Sequence, residues 1–292
     1  MSPAHNVRAE ATQRPATFRI DWPRVSVVIP ALNEARNLPF VLPRIPHWVH
    51  EVLLVDGESI DGTADIARRL RPSIRVVAQE GKGKGAALRS GFAQATGEII
   101  VMLDADGSTD PAEIPAFVGT LLAGADFAKG SRFLQGGGTA DMPLYRRLGN
   151  MAFVLTVRAL FGGNYSDLCY GYNAFWARVL PELKLDADGF EIETMMNVRV
   201  LRRGLKVTEV PSFEASRVHG EGRLRTIPDG WRVMKTLVRE GLGQHRQAKR
   251  RHTTPIAQVS ILLEEPKEQD DDHRWQSAER PPLHRVTVDQ RG

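Results

Sequence analysis

The sequence predicts an α/β fold in which helices flank a mostly parallel central sheet. Apolar, β-branched runs recur along the chain, and each is followed by a segment with helical periodicity. These runs are continuous rather than alternating, which is typical of parallel strands buried on both faces. The chain has 292 residues, of which 42% are hydrophobic and 25% charged, so it is long enough to bury a large core.

Four strands and two helices alternate in the first part of the predicted sheet. The strands are predicted at residues 25–30, 51–56, 74–78 and 99–106, and the helices at residues 62–70 and 85–95. In open sheets of this kind ligands bind beyond the carboxyl ends of the strands. Polar side chains follow the strands at those ends, so we expect the functional site there.

Composition divides the chain into a flexible segment at residues 1–22, a domain at 23–242 and a charged tail at 243–292. Both ends have like-charge blocks or proline with few apolar residues, so we expect them to be disordered. The N-terminus lacks the apolar core of a signal peptide, and no stretch is long enough to span a membrane. We therefore expect a cytoplasmic protein and leave open peripheral contact with the inner face of the membrane.

Several classes of protein are disfavoured. The single cysteine, Cys169, excludes a disulfide framework and any multi-cysteine metal site. A net charge of +4 is weak for this length, and no binding motif is present, so no nucleic-acid partner is expected. The GxxxxGK[ST] phosphate loop and the GxSxG nucleophile motif are both absent.

The strongest local signal is Asp104-Ala105-Asp106, which directly follows the strand IIVML. Two carboxylates at a strand end can hold a hard divalent cation, Mg²⁺ or Mn²⁺, and leave coordination positions for diphosphate oxygens. Ser108 could add an oxygen ligand. A structural turn is the alternative, because Asp, Gly and Ser form turns readily and Asp110-Pro111 is typical of a helix start.

Two further segments favour nucleotide binding. Asp56 ends the second strand and could accept hydrogen bonds from a base or ribose. Lys84 lies in the run GKGKG, where glycines permit close approach and a helix N-terminus favours anions. The alternatives are a solvated turn residue for Asp56 and a flexible basic turn for the glycine run.

A set of arginines recurs in the second half of the chain. Bidentate contacts to phosphate suit arginine, although each of these side chains alone could equally be solvated. Two later segments, PLYRRLGNMAFVLTVRALF and TIPDGWRVMKTLVREGL, predict helices with basic residues and broad apolar faces. Such helices can lie on anionic membranes or pack against the protein's own sheet.

Taken in order, these motifs resemble the inverting family-2 glycosyltransferases of the GT-A fold, and most of all the polyprenyl (dolichyl) phosphate mannosyl- or glucosyltransferases. The resemblance covers about residues 24–240. It rests on VVIPALNEARNL, VDGESIDGT, GKGKGAAL, DADGSTDP, GSRFLQGGG, YRRLGN, SDLCYGYNAFW, DGFEIE and EVPSFEASRVHGEGRL. The sequence departs from the family at VDGES, where DDGS is common, and at STDP, where QHPP is common.

The resemblance implies a Rossmann-like sandwich and a role for each matching residue. The implied nucleotide pocket comprises Pro30, Asn33, Glu34 and Asp56. Asp104 and Asp106 would hold the metal and the sugar nucleotide, with Ser108 at a position that often contacts the metal. The implied phosphate-binding set is Arg132, Arg146, Arg217 and Arg223, and Asp167 falls near the acceptor.

These observations predict transfer of one hexose from GDP-mannose or UDP-glucose to a polyprenyl phosphate, with Mg²⁺ or Mn²⁺ as cofactor. A phosphate acceptor is already anionic and needs no general base, whereas a hydroxyl acceptor would make Asp167 the candidate base. Transfer to a soluble glycan or small molecule, and a non-catalytic nucleotide-sugar-binding protein, remain as alternatives.

Overall fold

The computed structural model describes residues 22–140 and 142–253, with side chains up to residue 243. The strands are β1 Val25–Ala31, β2 Glu51–Asp56, β3 Arg75–Ala78, β4 Ile99–Met102, β5 Phe127–Ser131, β6 Gly138–Thr139, β7 Asn173–Trp176, β8 Val207–Pro211 and β9 Phe213–Glu214. The helices are α1 Leu38–Val41, α2 Thr63–Leu70, α3 Lys84–Gln94, α4 Ile114–Leu122, α5 Leu144–Phe161, α6 Leu180–Leu183, α7 Glu191–Arg202 and α8 Thr226–Thr253.

Seven of these strands form one sheet in the order β3-β2-β1-β4-β7-β5-β8. The first four are parallel to one another, and β8 is parallel to β5. Strand β7 is antiparallel to both of its neighbours, β4 and β5. The prediction of a mostly parallel α/β sheet is therefore confirmed, with one antiparallel strand inside it.

The sheet is covered on both faces, as its continuous apolar strands predict. Val27 and Ile29 of β1 enter one core, and Val28 between them enters the other. Helix α3 lies close to the sheet at Gly91, where an added side chain would collide with Val28 and Val55. A third apolar cluster joins α5, α7 and α8 away from these two cores.

The structure departs from the predicted bounds by more than one residue at two places. Strand β4 ends at Met102 rather than at residue 106, because the chain leaves the ladder after Leu103 donates its N–H to the Val28 carbonyl. Helix α8 continues to Thr253, into the segment 243–292 that was predicted as a charged tail, because Gln, Ala, Lys and Arg are good helix formers. The disorder predicted for residues 1–21 and 254–292 lies outside the described residues.

No helix in the described part of the chain combines the length and the apolar character needed to cross a bilayer.

Candidate active site

One large cavity, of about 1040 Å³, lies beyond the carboxyl ends of the parallel strands. The loops after β1, β2 and β4 form one side, and residues of α5 and α8 form the other. Most of the site residues predicted from the sequence line it: Pro30, Glu34, Lys84, Asp104, Asp106, Ser108, Arg132, Arg146, Arg217 and Arg223. Strand order thus brings together side chains that are far apart in sequence.

Lys84 and Asp104 form the floor of this cavity. The Lys84 Nζ atom lies 2.6 Å from Asp104 Oδ1 and 2.7 Å from Glu193 Oε1. Burial of the Lys84 amine would lower its pKa, but the charges of Asp104 and Glu193 outweigh that effect and raise it. Lys84 is therefore a fixed cation. Gly171 packs directly against these side chains, since an added Cβ would lie 2.7 Å from Glu193 Oε1 and 2.9 Å from Lys84 Nζ.

Asp106 has a different cation beside it. The Arg217 guanidinium donates to Asp106 Oδ2 at 3.2 Å and to both oxygens of Glu34 at 2.5 and 2.6 Å. The Ser108 hydroxyl donates to Asp106 Oδ1 at 2.7 Å, so it orients that carboxylate. Asp106 thus lies between a hydroxyl and a guanidinium, both of which hold it at the cavity wall.

Carboxylates outnumber cations in these ion pairs. Among the described residues, Glu34, Asp104, Asp106 and Glu193 pair with two cations, Lys84 and Arg217. Burial raises the pKa of Glu193, so Asp104 and Asp106 are the carboxylates whose oxygens suit Mg²⁺ or Mn²⁺. No group of three His, Cys, Asp or Glu residues among those described could hold a metal. A metal at Asp104 and Asp106 would therefore need further oxygens from a ligand.

The segment after β9 lies directly over the two aspartates. Ala215 donates its N–H to the Ser108 carbonyl at 2.8 Å, and Val218 donates to the Asp106 carbonyl at 3.3 Å. Further along, the Arg223 side chain donates to the Leu32 carbonyl at 2.6 Å. These backbone hydrogen bonds to the turn after β4 thus bring Arg217 and Arg223, which are far away in sequence, to the cavity.

Asp167, the sequence-predicted candidate base, does not line the cavity. Its side chain is fully buried and accepts from Arg132 Nε at 2.7 Å and from Arg132 Nη2 at 2.9 Å. Burial would raise the pKa of Asp167, but these bonds and the Arg132 charge lower it. In this position Asp167 orients Arg132, whose Nη1 also donates to Glu214 at 2.8 Å.

Asn33 and Asp56 also do not line the cavity, although both were predicted in the nucleotide pocket. The Asn33 carbonyl oxygen Oδ1 accepts from the backbone N–H of Ile60 at 2.8 Å, and the Asn33 N–H donates to Ser59 Oγ. Asp56 Oδ2 accepts from the Ser59 N–H at 3.3 Å. Both side chains therefore shape the loop after β2, whose residues Gly57 and Glu58 do reach the cavity.

Sequence reasoning missed several polar residues of the cavity wall, among them Glu58, Gln79, Glu193 and Glu214. Gln79 directly follows β3, so the strand-end rule could have identified it. Glu193 lies in the first turn of α7 and ends the DGFEIE segment, to which the resemblance gave no residue role. Cys169 also lines the cavity, but burial raises its thiol pKa to about 12, so it is a poor nucleophile at neutral pH.

The two amphipathic helices leave apolar side chains exposed. On α8, Trp231 is 70% exposed and Leu242 is 62% exposed, while Val238 is half-exposed. On α5, apolar side chains are also exposed, at Leu144, Leu148, Met151 and Leu155. These faces do not pack against the protein's own sheet, which was the alternative. The first turns of both helices also contribute Tyr145, Arg146, Thr226 and Asp229 to the cavity.

Known proteins with similar sequences are enzymes of sugar transfer. An undecaprenyl-phosphate mannosyltransferase from Micrococcus luteus is 34% identical over 213 residues, which cover 69% of this chain and 87% of the relative. A polyprenol monophosphomannose synthase from Mycolicibacterium smegmatis is 33% identical over 227 residues, which cover 73% of this chain and 85% of the relative.

A similar solved structure is glucosyl-3-phosphoglycerate synthase from Mycobacterium tuberculosis in complex with Mn²⁺, UDP and glucosyl-3-phosphoglycerate. Its TM-score is 0.60 at 26% identity, and the match covers 75% of this chain and 80% of that one. The sequence profile described as Glycosyl transferase family 2 matches residues 26–183. This chain therefore belongs to glycosyl transferase family 2 and is a glycosyltransferase.

Proposed function

We propose that this enzyme transfers one hexose from a nucleoside diphosphate sugar to a polyprenyl phosphate, with Mg²⁺ or Mn²⁺ as cofactor. The observation that carries the proposal is a single cavity with a carboxylate pair on one wall and Arg132 and Arg146 on another. The names of the Micrococcus and Mycolicibacterium relatives support a polyprenyl phosphate acceptor.

The donor would bind at the carboxylate pair. Asp104 and Asp106 are the residues that would hold the metal, which would neutralise charge on the diphosphate leaving group when bound. Lys84 and Arg217 already contact these carboxylates, so they would face the same diphosphate. The complexes of the similar structure with Mn²⁺ and UDP support a donor of this class.

The acceptor phosphate would bind at Arg132. The Arg132 pKa is raised, because the charges of Asp167 and Glu214 outweigh the opposite effect of burial, so this guanidinium stays charged. A phosphate oxygen is an anionic nucleophile, and it would attack the anomeric carbon on the face opposite the leaving diphosphate. That step needs no general base, which agrees with an Asp167 that is buried and committed to Arg132.

The exposed apolar faces of α5 and α8 would meet the membrane that carries the acceptor. Basic residues lie beside these faces, including Arg232 and Arg239, both exposed on α8. Apolar burial combined with attraction to anionic lipid headgroups is how amphipathic helices bind a membrane surface. A lipid phosphate could then reach Arg146 at the start of α5 without leaving the bilayer.

A transfer assay tests this proposal. The full chain is incubated with Mn²⁺, a labelled sugar nucleotide (GDP-mannose or UDP-glucose) and one of three acceptors: polyprenyl phosphate in vesicles, 3-phosphoglycerate, or a soluble glycan. We expect label only in the lipid, with the anomeric configuration inverted and the product absent when the metal is chelated. Product on a water-soluble acceptor alone would contradict the proposed acceptor.

A further inference from the structure

Lys129 is buried inside the sheet, where lysine is rarely found. It belongs to β5, which lies between β7 and β8, and none of its side chain is exposed. Burial of an amine costs free energy that an apolar side chain of similar length, such as methionine, would not cost. Packing alone therefore does not account for a lysine at this position, and its hydrogen bonds indicate what it does there.

The Lys129 amine and the backbone beside it hold the segment that leads into β7. The Lys129 Nζ atom donates to the Gly130 carbonyl at 2.8 Å and to the Tyr170 carbonyl at 2.9 Å. Two residues further along, the Tyr172 carbonyl accepts from the Gly130 N–H at 2.9 Å. Strand β5 thus fixes the residue before Gly171 and the residue after it, the first of them through a side chain.

Gly171, between these two anchored residues, forms part of the cavity floor. A Cβ added there would lie 2.7 Å from Glu193 Oε1, 2.9 Å from Lys84 Nζ and 3.1 Å from Asp104 Oδ2. These three side chains therefore fill the space beside the Gly171 backbone. A shift of that backbone towards them would push them apart, and a shift away would leave a gap behind them.

Lys129 lies within electrostatic reach of charged groups on two sides of the cavity. Burial lowers the pKa of Lys129, whereas the charges of Asp167 and Glu193 act to raise it. Asp167 holds Arg132, and Glu193 contacts Lys84 on the cavity floor. Lys129 itself does not line the cavity, so it can act on a ligand only through the groups that it holds.

We propose that Lys129 is a positioning residue of the donor site, which holds Gly171 against the side chains that would bind the metal and the diphosphate. The inference rests on the function proposed above, which places the donor at Asp104 and Asp106. Loss of the amine would release the Tyr170 carbonyl and let Gly171 move, so the Asp104 carboxylate would lose its fixed position. A methionine at residue 129 would keep the packing and lose both hydrogen bonds, which separates the two roles of the side chain.

The test is equilibrium binding of GDP and UDP to the full chain in Mn²⁺, measured by calorimetry, with urea denaturation of each variant. Lys129→Met should weaken binding of the tighter nucleotide about tenfold, because two hydrogen bonds that fix the cavity floor are lost. Lys129→Gln keeps N–H donors near the two carbonyls, so it should weaken binding less. Gly171→Ala adds a methyl group against the floor and should weaken binding about tenfold or more with Lys129 intact.

Phe127→Leu is the matched control, because Phe127 is fully buried on the same strand and does not line the cavity. It should lower the free energy of unfolding and leave nucleotide affinity unchanged. In the double variant Lys129→Met/Gly171→Ala the two losses of affinity should not add, because both changes act through the same backbone segment.

The inference is wrong if Lys129→Met lowers stability as Phe127→Leu does but changes nucleotide affinity less than about twofold, or if the losses in the double variant add fully. Should Lys129→Met not fold, Lys129→Gln and Gly171→Ala are compared with Phe127→Leu in the same two measurements. If the unmodified chain binds neither nucleotide in Mn²⁺, the proposed function is itself wrong, and the inference falls with it.

Discussion

The proposed donor side and the proposed acceptor side of the cavity are built differently. On the donor side, at the ends of β1 and β4, Glu34, Asp104 and Asp106 each contact a cation supplied by the chain. On the acceptor side, α5 and α8 present apolar side chains to the surroundings. We therefore expect the donor side to be preorganised for a small charged ligand and the acceptor side to be completed by the membrane proposed above.

Arg132, where the acceptor phosphate would bind, is held by carboxylates from two other segments of the chain. It pairs with Asp167 and Glu214, and only a small fraction of its side chain is exposed. A charge so placed needs partners on the protein, because water cannot solvate it. The comparison therefore predicts that changes on the donor side and at Arg132 alter chemistry or folding, while changes on the exposed faces alter membrane binding alone.

The largest effect is expected from Arg132→Ala, which leaves the fully buried Asp167 without its cation. Breaking a buried ion pair in this way costs about 3–5 kcal/mol of unfolding free energy. Urea denaturation at pH 7 measures the loss. The double variant Arg132→Ala/Asp167→Asn should recover part of it, and equal stabilities for the single and double variants would contradict the proposed role of Asp167.

On the donor side, Asp104→Asn should lower the transfer rate about 10²- to 10³-fold, since a metal-ligating charge facing the leaving group is lost. Lys84 keeps Glu193 as a partner, so the fold should persist. Transfer kinetics with matched thermal melts measure both quantities. Retention of more than a tenth of the rate would show that the carboxylate pair does not serve the leaving group.

On the acceptor side, Trp231→Ser should weaken binding to anionic lipid vesicles about tenfold, because one large apolar side chain no longer enters the bilayer. Transfer to a detergent-solubilised acceptor should change little. Ile60→Ser is the matched control, since Ile60 is 92% exposed but lies on the donor side. Equal losses in vesicle binding for the two variants would contradict the claim that membrane binding belongs to the acceptor side.

A smaller effect, confined to acid pH, is expected at Glu51, which begins β2 at the edge of the sheet opposite the cavity. Burial alone would raise the pKa of Glu51, but hydrogen bonds from Ser26 and Thr96 and the Arg75 guanidinium lower it to about 2. A lowered pKa contributes stability above the unfolded value of about 4.5, and that stability is lost as the pH falls towards 2. Thermal melts across this range should fall less steeply for Glu51→Gln than for the unmodified chain.

The sequence predicted the parallel half of the fold closely because its strands are continuous apolar runs bounded by turn residues. The bounds of β2 match the prediction at both ends. The antiparallel strand β7 was not predicted, because its four residues carry no signal for direction. Direction there depends on pairing with β4 and β5, which are distant in sequence.

The position of a site residue could be predicted where that residue directly follows a strand. It could not be predicted where contacts with residues distant in sequence determine its role. Asp104 and Asp106 follow β4, so the strand-end rule placed them correctly in the cavity. The burial of Asp167 depends on Arg132, which directly follows β5 and is distant from Asp167 in sequence. Glu193 of α7 contacts Lys84 at the start of α3, and no spacing in the sequence predicts a contact between these two helices.

Binding of Mn²⁺ with and without a nucleoside diphosphate tests the central claim most directly, because two carboxylates alone are an incomplete metal site. Electron paramagnetic resonance of Mn²⁺ titrated into the full chain, with GDP or UDP present or absent, gives the number of bound ions and their affinity. We predict one tightly bound Mn²⁺ per chain only when the diphosphate is present, and none in the Asp104→Asn/Asp106→Asn variant. Diphosphate binding that is equally tight without metal, or Mn²⁺ binding that survives in that variant, would contradict the account.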